Sequence, residues 1–175
     1  IDLDILVIDD NSPDNTAQIV KKYDSDKVFI QERAEKKGLG TAYVHGFNWA
    51  LSNNYDKIIQ MDADLSHDPK EVPPMFDLLD NYGLVVGSRY NNGLRVINWP
   101  ISRLYISYFA NLYARIITGV PVKDLTAGFK AWKAETLHLI NFNECSSQGY
   151  CFQIETSFLA LIHISEPTRQ WSSAY

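Results

Sequence analysis

Three aspartates, Asp62, Asp64 and Asp68, fall within seven positions in the stretch "QMDADLSHDP", Gln60 to Pro69, directly behind the apolar pair Ile58-Ile59. In an extended chain residues i and i+2 point the same way, so Asp62 and Asp64 share a face while Ala63 points away. Their carboxylates would stand roughly 7 Å apart, repelling by about 0.6 kcal/mol in water and about 2.4 kcal/mol at an effective dielectric of 20. A divalent cation removes that cost. Magnesium and manganese suit oxygen ligands, and magnesium is typically held by one or two carboxylates plus substrate phosphates. An EF-hand calcium loop is excluded: counted from Asp62, the sixth position is His67 rather than glycine and the twelfth is Pro73 rather than glutamate. Asp68 has a different job. With Pro69 and Glu71 it supplies the N-cap, first and third positions of a helix running through Leu79.

The elements that must position these carboxylates follow from the apolar pattern. Ile5 to Ile8 is a continuous apolar run stopping at Asp9-Asp10-Asn11, as a strand buried on both faces of a parallel sheet tends to end. Ser12-Pro13 reads as N-cap and first position of a helix across Thr16 to Tyr23. Val28-Phe29-Ile30 is a second strand, and Lys36 to Gly40 a loop opening a helix with Ala42, Phe47, Trp49, Ala50 and Leu51. The dinucleotide fingerprint does not fit there, because its third glycine would fall at Tyr43. Ile58 to Met61 and Leu84 to Gly87 are third and fourth strands. This alternation predicts an α/β domain with a largely parallel sheet, and its acidic strand ends lie where open α/β sheets bind ligands.

Beyond Arg89 the rhythm changes. Asn91-Asn92-Gly93 is a turn signal, Ile101 to Ile117 a long aromatic-rich helix, Asp124 to Trp132 extended or loop, and Phe152 to Ile162 another helix. With 175 residues, 46% of them hydrophobic, the chain suits one domain. Sixteen basic against 21 acidic residues leave no general basic face for nucleic acid, so an anionic substrate must be held locally. No apolar stretch reaches the roughly 18 residues of a spanning helix, and the covered chain reads as cytosolic and soluble. Cys145 and Cys151 lack metal-ligand spacing and read as core or loop thiols.

Taken alone, the acidic strand ends fit more than one chemistry. "ILVIDDN" and "QMDADLSHDP" are similar to the strand ends of a phospho-receiver domain, a signalling switch, but Lys123 is followed by Asp124 where that domain needs proline. Asp62-Ala63-Asp64-Leu65-Ser66 approximates the D-x-D-x-T pattern of an aspartyl-nucleophile phosphatase. That pattern normally opens its domain, whereas two strands precede it here.

A larger set of residues points elsewhere. "ILVIDDNSPDNT", "GLGTAYVHGF", "QMDADLSHDP", "VVGSRY", "DLTAGFKAW" and "GYCFQIE" occur in the order and approximate spacing of dolichyl-phosphate mannose synthases, inverting family 2 glycosyltransferases. The resemblance runs from about Asp4 to Ala160. It implies a GT-A fold, a Rossmann-like α/β/α three-layer domain with a mostly parallel sheet, and transfer of mannose from GDP-mannose to dolichyl or another polyprenyl phosphate. By the same resemblance, Ile8 and Asp10 contact the nucleotide base and its surroundings. Asp62, Ala63 and Asp64 form the nucleotide-sugar and metal motif, with Asp64 the direct ligand of Mg2+ or Mn2+ and Asp62 a second candidate. Ser66 stands where some relatives carry a glutamine metal ligand. Arg89 matches the arginine that meets donor and acceptor phosphates, and Arg103 with Ser107 an acceptor-phosphate site on one helix face. Glucosyl transfer to polyprenyl phosphate shares these blocks. The acceptor would bring the protein to the cytoplasmic face of a membrane, with any anchoring partner unspecified.

At both ends the sequence departs from that pattern. The family begins with a strand and a V-P-T-Y-N-E type segment that here would precede Ile1, and the implied fold places this first strand between those ending at Asp10 and Asp62. Residues 1–162 are therefore expected to be a partial catalytic domain lacking its first strand, and the expected consequence is unpaired strand edges and weak or no activity. His163 to Tyr175 matches nothing in the family and reads as an artefactual or frame-shifted tail.

Overall fold

The computed structural model of the protein describes residues 2–23, 25–87, 124–142, 145, 147 and 149–164. Arg89, Arg103 and Ser107, the turn at 91–93, the helix expected over 101–117 and most of the tail lie outside them.

Strand β1 (Ile5–Asp9) and strand β2 (Val28–Glu32) pair in parallel, Ile5 opposite Val28 and Asp9 opposite Glu32. Helix α1 (Thr16–Lys21) joins them. Its start corrects one expectation, because the N-cap is Asn15 at φ 62° and not Ser12. Pro13 and Asp14 are spent in a turn, where Asp14 Oδ1 accepts from the Thr16 N–H at 3.1 Å and its hydroxyl at 2.5 Å. A second correction concerns β1, expected to be buried on both faces. Ile5 is 50% exposed and Leu6 to Ile8 are half-buried, because among the described residues β1 has a neighbouring strand on one side only.

Helix α2 (Leu39–Ser52) follows, entered through Gly38 at φ 98°, a left-handed conformation that glycine adopts at no steric cost. It packs against both β1 and strand β3 (Lys57–Gln60). Asp68 caps the next helix as its sequence indicates, its Oδ1 accepting the Lys70 N–H at 3.0 Å. The first turn, Pro69–Glu71, is a 3₁₀ turn before helix α3 (Val72–Leu78). Pro73 and Pro74 lack the N–H groups that would bond back to the carbonyls of that turn.

Strand β4 (Leu84–Val86) and strand β5 (Lys130–Lys133) complete a three-stranded sheet of order β3-β5-β4. Both pairings of β5 are antiparallel, Gln60 and Val86 each meeting Lys130. The segment read as loop or extended thus supplies the central strand of this sheet. It enters from the edge where β3 and β4 end, so it runs opposite to both. Helices α4 (Ala134–His138) and α5 (Tyr150–Ile164) follow.

Strand alternation sorts the side chains into two cores. Val85, Ala131 and Phe129 face α3 through Met75, while Leu84, Val86 and Trp132 face Phe47 of α2, Leu137 of α4 and Phe152 and Ala160 of α5. The result is three layers around the second sheet. Each large side chain buried this way contributes about 1.5–3 kcal/mol of transfer free energy. Between β1 and β3 there is no strand pairing among the described residues, and α2 bridges the two sheets.

Candidate active site

The site gathers at the carboxyl ends of β1 and β3. A buried polar network sets where β3 ends. The Gln60 side chain donates to the Gly128 carbonyl at 2.8 Å and to Gln153 Oε1 at 2.9 Å, and accepts from Trp132 Nε1 at 3.0 Å. Burial makes each of these bonds costly to lose, so the chain leaves the sheet at a fixed point. Lys130 is fully buried beside this network, donating to the Gln153 carbonyl at 2.7 Å, and burial lowers its pKa to about 7.

Past Gln60 the chain bends at Ala63 to Leu65 instead of staying extended. Leu65 takes φ 63°, a left-handed conformation that costs a bulky residue about 1 kcal/mol or more, and its side chain is 93% exposed. Asp62 is held from two sides: Tyr43 of α2 donates its hydroxyl to Asp62 Oδ1, and the Asp62 N–H donates to His67 Nδ1 at 3.1 Å. The His67 ring is stacked on Phe129 with centroids 4.9 Å apart. Asp64 Oδ1 accepts the Ser66 N–H at 3.0 Å, and bonds from Ser66, side chain first and backbone second, hold the Asp64 carboxyl below its ordinary pKa. Both aspartates act on the Tyr43 hydroxyl: burial first, then the Asp62 charge and hydrogen bond, then the Asp64 charge push its pKa up. Asp62 and Asp64 thus stand on a bend and not on an extended strand, and the alternation that the spacing predicts does not apply there.

Asp10 sits in a different setting. Arg33, just past β2, grips it with a two-pronged fork, Nε to Oδ1 at 2.5 Å and Nη2 to Oδ2 at 2.6 Å, and Nη1 reaches Thr41 Oγ1 at 2.8 Å. The hydrogen bond from Arg33 is the main cause of a lowered Asp10 pKa. Asp9 is buried, with Oδ2 accepting the Ser12 N–H at 3.2 Å. Ile8 lies against α2, where a β-carbon on Gly46 would stand 3.6 Å from its Cγ1. Thr41 and Tyr43 are two apart on a helix, about 200° around its axis, so the start of α2 reaches toward both strand ends at once. Ala63 is exposed on the bend. Glu155 accepts the Ser147 N–H at 3.2 Å and so anchors the segment before α5. Arg33, Tyr43, His67 and Gly128 join the candidate site without having been singled out from the sequence, although Tyr43, His67 and Gly128 lie within the blocks that carry the family resemblance.

The donor set fits a hard divalent cation. Asp62 and Asp64 offer oxygen ligands, and no group of three metal-binding side chains occurs among the described residues, so further ligands would come from substrate oxygens and water, as magnesium sites commonly arrange. A cavity of about 140 Å³ beside the first turn of α2 is lined by Gly40, Thr41, Val44, Phe142, Cys145, Ser147 and Phe152, and includes none of these carboxylates.

The α/β/α core is that of the GT-A glycosyltransferase class. The fold comparison agrees: the structure of glucosyl-3-phosphoglycerate synthase from Mycobacterium tuberculosis superposes with a TM-score of 0.63 at 17% identity, covering 94% of this chain and 57% of that one. A structure of the same enzyme in complex with Mn2+, UDP-glucose and phosphoglyceric acid gives a TM-score of 0.60 at 18% identity, over 87% of this chain and 51% of that one. Residues 1–138 match glycosyl transferase family 2, and the chain belongs to that family. The receiver and phosphatase readings are thereby set aside. Polyprenol monophosphomannose synthase of Mycolicibacterium smegmatis is 43% identical over 90% of this chain and 61% of its own length. Undecaprenyl-phosphate mannosyltransferase of Micrococcus luteus is 41% identical over 89% and 65%. The chain thus spans less than two thirds of either relative.

Proposed function

We propose that this chain is the catalytic core of a polyprenyl-phosphate mannosyltransferase, taking mannose from GDP-mannose to dolichyl or another polyprenyl phosphate at a membrane surface. The observation that carries this reading is the identity of 41–43% to two relatives so named, across 89–90% of the chain. Among the described residues no helix is long and apolar enough to cross a membrane.

In this reading a lipid phosphate oxygen attacks the anomeric carbon in line as the bond to the nucleoside diphosphate breaks, inverting the centre. The attacking phosphate is already anionic at neutral pH, so no side chain need act as general base. Catalysis then rests on positioning and on stabilising the departing diphosphate. Mg2+ or Mn2+, held by Asp64 with Asp62 as a second ligand, would supply Lewis acidity toward that diphosphate. Ser66 serves the site through Asp64, which it holds ionised. Ile8 and Asp10 are assigned to the nucleotide base, Arg89 to both phosphates, and Arg103 with Ser107 to the acceptor phosphate.

The test uses protein at the full length of its relatives, with GDP-mannose or UDP-glucose, polyprenyl phosphate and Mg2+ or Mn2+, following lipid-linked sugar. Mannosyl transfer from GDP-mannose is expected. Transfer from UDP-glucose alone would make the protein a polyprenyl-phosphate glucosyltransferase, and transfer from neither would refute the reading.

A further inference from the structure

Tyr43 is placed with unusual care for a residue that the sequence pattern leaves without a role. Its ring is stacked between Phe47, one helical turn along α2, and Phe152 of α5, with centroids 6.2 Å away in both cases and interplanar angles of 22° and 2°. Phe152 can lie so close only because residue 40 is glycine: a β-carbon there would come within 2.9 Å of its ring. At the far end of the phenol the hydroxyl donates to Asp62 Oδ1. On the other side of that carboxylate sits Gly128, where a β-carbon would stand 2.8 Å from Oδ2. Asp62 is therefore fitted between a braced hydroxyl and a bare patch of backbone.

We propose that Tyr43 is a positioning residue for the sugar-nucleotide donor, holding the Asp62 carboxylate by Oδ1 in one fixed orientation toward the donor or its cation. This rests on the reading of Asp62 as a donor-binding residue. A neutral hydroxyl is suited to the task, because it fixes the carboxylate without cancelling its charge; a guanidinium in the same place would cancel it. A phenol with its ordinary pKa of about 10 is a donor throughout the physiological range. The Phe47 and Phe152 stack limits the directions in which the ring can turn. Gly128 serves this placement by lacking a side chain, since a β-carbon there would stand 2.8 Å from Oδ2 and force the carboxylate out of its present orientation.

The test compares Mn2+-dependent binding of GDP and of UDP to the full-length protein and to Tyr43→Phe, by calorimetry, with donor KM and kcat measured alongside. Tyr43→Phe keeps the ring stack and deletes only the donor group, so the protein should stay folded with a melting temperature lowered by a few degrees at most. Loss of one hydrogen bond to a charged group predicts about tenfold weaker nucleotide binding and a KM raised by a similar factor, with kcat within about twofold. Gly128→Ala should weaken binding in the same direction from the opposite side of the carboxylate. If UDP binding responds instead of GDP binding, the mannose reading fails while the role of Tyr43 stands. Wild-type affinity in Tyr43→Phe for whichever nucleotide binds, or no Mn2+-dependent binding of either nucleotide by the wild type, overturns the proposal.

Discussion

Two acidic strand ends flank the start of α2, and they are treated in opposite ways. At the end of β1, Asp10 has both oxygens in the Arg33 fork, with the side chains only 20% and 12% exposed. At the end of β3, Asp62 and Asp64 form no ion pair with a described residue. They are held by a phenol hydroxyl, a serine and backbone geometry. An ion pair satisfies a carboxylate and leaves it little pull on a further cation. Neutral donors orient a carboxylate and leave its charge in place. The difference separates a carboxylate whose charge is met inside the fold from two whose charge no described cation meets, although all three are aspartates at strand ends.

The largest expected effect breaks the comparison on its charged side. Asp64→Ala should abolish Mn2+-dependent nucleotide binding, a loss of 100-fold or more by calorimetry, about 3 kcal/mol; unchanged affinity would remove Asp64 from the metal role. On the neutralised side, Arg33→Ala should leave Asp10 part-buried without its cation. The expected cost is about 2 kcal/mol of stability, a fall in melting temperature of about 4–8 °C. A melting temperature within a degree of the wild type would show that the fork does not tie β1 to the start of α2.

The smallest effect sharpens the contrast through pH. The folded pKa of Asp10 lies below its unfolded value of about 3.9, so the unfolded chain binds the proton first as pH falls. The pair's stabilisation is present in full above that unfolded value and is lost as pH drops through the folded one. Denaturant unfolding followed from pH 6 downward should therefore show a steeper loss below about pH 4 in the wild type than in Arg33→Ala. Parallel curves would assign the lowered pKa to something other than Arg33.

Much of this arrangement is legible in the sequence because it is local. The apolar runs at Ile5 to Ile8 and Leu84 to Val86 mark strands, Asp68-Pro69 marks a helix start, and Asp62-x-Asp64 marks a metal-suited pair. What escaped was mostly long-range, with one local exception at the start of α1. Lys130 to Lys133 looks like a short segment of mixed charge, and only pairing on both sides by β3 and β4 makes it a central strand. The Ser12-Pro13 pattern is a good cap in isolation, yet Asp14 captures Thr16 first and delays the helix. β1 has the composition of a doubly buried strand, but composition records what a strand can tolerate and not which neighbours it finds.

By itself the sequence determined which residues carry charge at the strand ends and the family to which the chain belongs. Those properties follow from side-chain chemistry and near-neighbour geometry. Tertiary structure alone decided that Arg33 neutralises Asp10 while Tyr43, 19 residues away in sequence, holds Asp62 and leaves it charged. Contacts across that distance depend on how α2 lies over two separate sheets, and no local pattern encodes the packing that puts it there.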